Sequence, residues 1–166
     1  DPGSSGVGRV WSLRRSNGRW SILRPINTAE GASLIGFGHR VALSSGRAAI
    51  ANTVGGVVLY RRDPGGNIFA PMHIAPRNQS DTILDIALSS QRLAITYAGG
   101  RIRLIDFSDS NWVELEVPAF PQSNEPESDL GASVALTDGT LFVGSPQESE
   151  FYAVESTPLC YPNEGP

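Results

Sequence analysis

The sequence contains no lysine, one cysteine and one methionine, and none of its apolar stretches approaches the length of a membrane span. All 13 basic residues are arginines, and no cluster of them is dense enough to follow a phosphate backbone, which argues against a nucleic-acid partner. With 17 acidic residues the formal net charge is −4. The chain opens at Asp1 without a basic and apolar leader, and we interpret it as a processed or excised product.

A single cysteine excludes an internal disulfide. Cys160 lies in a tail with three prolines, Pro158, Pro162 and Pro166. Two interpretations remain open, a free or buried thiol and one half of a bridge to another chain or segment. An inter-chain disulfide at Cys160 is therefore a candidate feature.

Glycine and proline are abundant, with 18 and 12 residues among 166. This excess indicates many turns and hence many short strands. Apolar runs are short and separated by turn residues, and no helical periodicity extends beyond about one turn. The composition therefore favours an all-β fold.

Three segments of the sequence repeat one pattern, namely residues 41–50, 86–95 and 134–143. Ala42 precedes Ala87 by 45 residues, and Ala87 precedes Ala135 by 48. A period of this size matches one four-stranded propeller blade. Each copy is typical of a hairpin, since two apolar strands flank a short polar turn such as Ser45-Gly46.

A glycine before the third strand continues the pattern, at Gly56 in one copy and Gly100 in the next. Twelve residues after Gly8 stands Trp20, and twelve after Gly100 stands Trp112. The N-terminal segment therefore belongs to the repeat as its third and fourth strands. We predict 13 strands, two in the first unit, four in each of the next two and three in the last.

The stretch 37–44 (FGHRVALS), followed by 49–51, resembles the FG-GAP repeat of integrin-α-type β-propellers. Leu130-Gly131 occupies the Phe-Gly position of the last copy, and 144–146 is similar to the Gly-Ala-Pro that ends the second strand in that family. The resemblance covers roughly residues 6–155 and is degenerate in the middle copy. It implies a propeller of four-stranded antiparallel blades.

The resemblance also raises the question of calcium, which family members often bind in a loop of alternating acids around a glycine. Asp106, Asp109 and Asn111 come nearest to that pattern, but their spacing is wrong. We therefore expect no metal and no cofactor.

The predicted units are a half blade (1–28), a blade (33–75), a second blade (81–117) and a partial blade (129–157), followed by the Pro-rich tail 158–166. These amount to about three to three and a half blades, and a propeller ring needs at least four. We expect the ring to be completed by missing sequence of the same protein or by another chain.

Few residues suggest chemistry. A catalytic histidine needs an orienting acid and a nucleophile close to it in space, and the sequence has many serines but no Gly-x-Ser-x-Gly motif. We therefore expect His39 and His73 to be ordinary, partly buried strand residues. We therefore predict that the chain is not an enzyme.

Two arginine pairs, Arg14-Arg15 and Arg61-Arg62, fall at nearly the same place in two repeats, before the turn between third and fourth strands. They predict a partner-binding rim for carboxylates or sulfated sugars. The alternative is a pair of solvated strand ends that contact neighbouring acids.

Trp11, Trp20 and Trp112 suggest either a platform for stacking sugars or, because two of them follow the repeat, packing between sheets. Asn78-Gln79-Ser80 is a glycosylation sequon in a polar loop and favours a secreted protein.

The function expected from this pattern is a non-enzymatic, extracellular or cell-surface β-propeller segment that acts as a structural or adhesive scaffold for protein partners, with possible glycans and no membrane span. Two alternatives stay open. One is part of a carbohydrate-binding or hydrolytic propeller whose site lies outside this segment. The other is a subunit of a repeating extracellular filament or multichain complex.

Overall fold

The computed structural model describes residues 6–26, 35–62, 68–78, 81–108, 112–115, 117, 130–146 and 150–155. These residues contain no helix and form 13 strands in four antiparallel sheets of two, four, four and three strands. The predicted all-β class is confirmed, and so are the number of strands and their grouping.

Every sheet follows the order of the chain, because each strand pairs with the strand before it. The first sheet consists of β1 (Val10–Ser16) and β2 (Arg19–Ile26). The second consists of β3 (Arg40–Ser44), β4 (Arg47–Ala51), β5 (Val57–Arg62) and β6 (Ile68–Ile74). The third consists of β7 (Ile83–Leu88), β8 (Arg92–Tyr97), β9 (Arg101–Asp106) and β10 (Val113–Leu115). The fourth consists of β11 (Ser133–Leu136), β12 (Thr140–Ser145) and β13 (Glu150–Glu155).

Two hairpins are closed by two-residue turns in which both residues have positive φ. Asn17 and Gly18 have φ of 50° and 77°, and Ser45 and Gly46 have φ of 42° and 76°. This conformation belongs to the turn type whose twist matches that of paired strands. The predicted turn at Ser45-Gly46 therefore sets the register of β3 against β4, in which Ser44 pairs with Arg47.

Gly56 directly precedes the third strand of the second sheet, as predicted, but the glycine that corresponds to Gly100 is its neighbour Gly55. Gly55 and Gly100 have positive φ of 84° and 73°, and each lies 13 residues after the first alanine of its repeat. Gly56, which the sequence suggested, is not among the positive-φ residues. The two copies therefore align at Gly55, one residue earlier than predicted.

Alternate residues of β4 and β5 pack on opposite neighbours. Ile50, Val58 and Tyr60 form a cluster with Val10 and Ile26 of the first sheet. The intervening residues of these strands join a second cluster with residues of the third sheet, namely Ala49, Ala51, Val57 and Leu59. Burial on both faces explains why these strands are almost continuously apolar.

A third apolar cluster lies between the third and fourth sheets. It joins Ala87, Ala94 and Leu104 to Leu141 and Val143. The four sheets are therefore stacked in chain order, with one apolar cluster between each sheet and the next. The first strands of the last three sheets lie side by side, with β7 in contact with both β3 and β11.

Close backbone approach joins the first sheet to the second. Val7 forms an isolated antiparallel bridge with Ile35, and the Gly36 amide donates to the Gly6 carbonyl oxygen at 2.9 Å. At Gly8 the carbonyl oxygen of Phe37 leaves no room for a Cβ atom. Glycine is required there because the two backbones touch.

We expect Gly131→Ala to destabilise the fold by more than about 1 kcal/mol, because Gly131 has a positive φ and a Cβ there would lie 2.8 Å from Thr96 Cβ. Urea unfolding measures the loss. Gly139→Ala is the matched control, since a Cβ at Gly139 meets nothing within 4 Å. Equal stability of the two variants would contradict the close approach of β8 and the fourth sheet.

Candidate interaction surface

Polar side chains at the strand ends are used to join neighbouring sheets. Arg40 Nε donates to the Leu84 carbonyl oxygen at 2.7 Å, and Arg47 donates to that of Ser90. The Val134 amide donates to Asp85 Oδ2 at 3.0 Å. These bonds link the second sheet to the third and the third to the fourth. They add directional hydrogen bonds to the apolar contacts that hold the sheets together.

His39 takes part in the same set of contacts, since its Nε2 lies 3.3 Å from the Ile83 carbonyl oxygen. This contact joins the start of β3 to the next sheet. The expectation that His39 is a strand residue is wrong, because His39 lies in a bend one residue before β3.

Arg103 is the most buried arginine in the described part of the chain, with 8% of the residue exposed. Its guanidinium donates to both carboxylate oxygens of Glu114, at 3.1 and 3.2 Å, and to the Ala75 carbonyl oxygen at 2.9 Å. Tyr97 Oη lies 3.4 Å away. Such complete pairing is what makes a buried charge tolerable. The sequence did not indicate this site, because an arginine in a strand normally lies at the surface.

Glu114 binds a second arginine, since Arg77 Nη2 lies 2.8 Å from its Oε1. Burial by itself raises the pKa of Glu114, but the hydrogen bonds and charges of Arg103 and Arg77 outweigh it, and the pKa is below its usual value. Glu114 is therefore ionised at neutral pH and holds β10 against β9.

Asp81 is a buried carboxylate, and it forms a salt bridge with Arg101. Burial raises its pKa, whereas the bond from Arg101 and that from the Asn78 amide, 3.1 Å long, lower it, and the result lies below the usual value. Asp81 thereby closes the loop that carries the sequon.

Asn78 itself is exposed, as a glycosylation acceptor must be. In the orientation that gives both amide atoms a partner, the side-chain nitrogen donates to the Arg77 carbonyl oxygen at 3.2 Å. The side-chain oxygen accepts from Arg101 Nη1 at 3.1 Å. Gln79 and Ser80, the rest of the sequon, lie outside the described residues.

The predicted arginine rim is found at two separate strand ends. Arg14 and Arg15 are exposed near the end of β1, and Arg61 is exposed near the end of β5, paired across strands with Arg47. Arg62 lies in β5, and its side chain is outside the described part. Among the described residues no salt bridge involves these arginines. Their role in binding a partner stays a prediction.

The tryptophans are not packed between sheets in the described part of the chain. Trp11, Trp20 and Trp112 are 51%, 67% and 44% exposed. The expectation of packing between sheets is therefore wrong there. The repeat places Trp20 in a strand but does not say whether another sheet lies opposite it.

Trp11 and Trp20 share one face of the first sheet with two other exposed apolar residues, Leu13 and Ile22. Leu13 pairs with Ile22, and Arg15 pairs with Trp20. The opposite face carries Val10 and Ile26, which pack on the second sheet. We call the face formed by Trp11, Leu13, Trp20 and Ile22 the outer face of the first sheet.

Cys160 and the tail 158–166 lie outside the described residues, as do Asp109 and Asn111 of the candidate calcium loop. Asp106 binds Arg92 Nε at 3.0 Å and Ser108 Oγ at 2.6 Å. Within the described ranges no group of three potential metal ligands is present, and no helix is long and apolar enough to cross a membrane.

No family model matches the chain, and no curated protein matches it. The resemblance to FG-GAP repeats accordingly stays a prediction from the sequence.

We expect Glu114→Gln to cost roughly 3 kcal/mol at pH 7, because it leaves the Arg103 charge buried without its carboxylate. The folded-state pKa of Glu114 is lowered, so the stabilisation is present above the pKa of the unfolded chain and is lost as the pH falls through the folded pKa. Urea unfolding of both proteins across pH 7 to 2 should show the difference shrinking in acid.

Asp138→Asn is the control for this experiment, since Asp138 is an exposed carboxylate that binds Ser90 Oγ. It should give a much smaller loss at pH 7. A Glu114→Gln loss that is independent of pH would contradict the charge pairing.

Proposed function

We propose that the four sheets are successive blades of a β-propeller of FG-GAP type. Three features support this assignment: the strands of each sheet follow chain order, an apolar cluster lies between consecutive sheets, and β3, β7 and β11 lie side by side. In a propeller the first strands of neighbouring blades surround the central axis, and the blades pack face to face.

On this scaffold we propose a non-enzymatic, structural or adhesive role outside the cell, in which the chain binds protein partners. The observation that carries the proposal is the outer face of the first sheet, where Trp11 and Trp20 are exposed beside Arg15. Tryptophan and arginine dominate the residues that contribute most to protein interfaces. A rigid stack of sheets presents them without a large entropic cost.

A binding assay on immobilised extracellular-matrix proteins tests this role. We expect the double variant Trp20→Ser/Arg15→Ser to weaken binding at least about tenfold, since truncation of a central interface residue costs about 2 kcal/mol or more. Leu43→Ser is the matched control, because Leu43 is 75% exposed on β3 and does not belong to the outer face of the first sheet.

The same assay separates the alternatives. Binding that heparin abolishes and that Arg15→Ser alone weakens as much as the double variant would assign the surface to sulfated sugars instead. Binding that neither variant changes would refute the role of the outer face.

An extracellular setting predicts that Asn78 carries a glycan. When the chain is secreted from a eukaryotic host behind a signal peptide, we expect one glycan that a peptide-N-glycosidase removes, as a mass shift in mass spectrometry. Asn78→Gln and Ser80→Ala should both abolish it, because each destroys the sequon. A secreted wild-type chain without a glycan would remove this support.

A further inference from the structure

Among the described residues two sheets end the stack, and no other described sheet packs on the outward face of either. On the outer face of the first sheet Trp20 and Ile22 are both 67% exposed and Leu13 is 54% exposed. Side chains of this size and apolarity, clustered on one sheet face, mark an interaction site rather than scattered surface residues.

The fourth sheet has a corresponding uncovered face. Leu141 and Val143 pack on the third sheet, whereas Phe142 between them is 43% exposed. Phe142 pairs with Ala135 on one side and Ala153 on the other, and both alanines are exposed. We call Phe142, Ala135 and Ala153 the outer face of the fourth sheet.

The repeat register shows which kind of face each of these is. Ala49 and Ala94 hold equivalent positions in β4 and β8, and both pack on the sheet that follows in the chain. Phe142 is the equivalent residue of β12, so the outer face of the fourth sheet is the kind that contacts a following sheet.

The outer face of the first sheet is of the opposite kind. Tyr60 of β5 packs on the first sheet and Ile105 of β9 packs on the second, so both face the sheet that precedes their own. Val10 of β1 corresponds to Val57 of β5, because each faces the following sheet and pairs with an isoleucine of the next strand. Leu13 lies three residues after Val10, as Tyr60 lies three residues after Val57, so Leu13 is the equivalent of Tyr60. The outer face of the fourth sheet is therefore of the kind that packs on a following sheet, and that of the first sheet is of the kind that packs on a preceding one. Two such faces meet wherever consecutive sheets of this chain pack together.

The charges of the two ends are also complementary. Residues 6–26 contain five arginines and no acidic residue. Residues 130–155, which contain the fourth sheet, have four acidic residues and no basic residue. Pairing of two first sheets would bring ten arginines together, whereas pairing of a first with a fourth sheet joins opposite charges.

We infer that two copies of this chain associate head to tail, with the outer face of the first sheet of one copy on the outer face of the fourth sheet of the other. Such an interface joins two different patches, so it generates a closed ring or an open filament according to the rotation between copies. The inference rests on the proposed scaffold function and deepens it, because it names a second copy of the chain as the partner that covers the two outer faces.

The test is the solution mass of the 166-residue chain by sedimentation velocity over about 1 μM to 1 mM protein. We expect species of about 35 kDa or more, at least twice 17.7 kDa, at the upper concentrations. Raising NaCl from about 50 mM to 500 mM should increase the apparent dissociation constant about tenfold, because opposite charges meet at the interface.

Two variants identify the faces. Trp20→Ser/Ile22→Ser removes the outer face of the first sheet, and Phe142→Ser removes that of the fourth. These side chains are exposed, so their loss leaves the clusters between the sheets intact. Each variant alone should stay at 17.7 kDa, and an equimolar mixture should form a species of about 35 kDa and no larger one. Leu43→Ser should associate like the wild type.

Three results would overturn the inference. These are a wild type that stays monomeric at every concentration, Phe142→Ser that still dimerises through two first sheets, and a mixture of variants that does not associate. The experiment involves no foreign ligand, so its failure leaves the matrix-binding assay of the proposed function unaffected. Conversely, loss of matrix binding would not alter the mass of the chain.

Discussion

Burial of apolar strand faces between consecutive sheets is the interaction on which the remainder of this structure depends. A two-, three- or four-stranded sheet of this size cannot exclude water from its own faces, and here each sheet does so by packing on its neighbour. Ile50 and Ala49, adjacent in β4, pack in opposite directions and so connect three sheets through one strand. The polar bonds between strand ends, such as that from Arg40 to Leu84, act within a stacking that the apolar faces already impose.

The local part of the fold could be predicted from the sequence because its signals are local. Ser45-Gly46 between two short apolar strands determines a turn, and a turn determines the pairing of the strands beside it. The choice between Gly55 and Gly56 could not be made in this way. Adjacent glycines look alike in the sequence, and only the strand pairing decides which of them takes the positive φ.

The candidate site was less accessible from the sequence, since exposure depends on what lies opposite a residue. Trp20 has the spacing of a core residue, yet the face that it occupies has no neighbour in the described part of the chain. Arg103 could not be identified as a buried residue, because its burial depends on Glu114 and the Ala75 carbonyl oxygen, and the sequence does not show that these groups meet. Both cases concern contacts between elements, which residue type and periodicity do not encode.

The sequential stacking has a consequence for the cooperativity of unfolding. In the described part of the chain each apolar cluster joins two consecutive sheets, so the molecule approximates a one-dimensional array whose stability is the sum of unit and nearest-neighbour terms. The second and third sheets each have two such neighbours, whereas the β1–β2 hairpin has one, through Val10 and Ile26. Opening can therefore begin at this hairpin without disrupting the sheets behind it, which makes the end of the array the least protected unit against amide exchange.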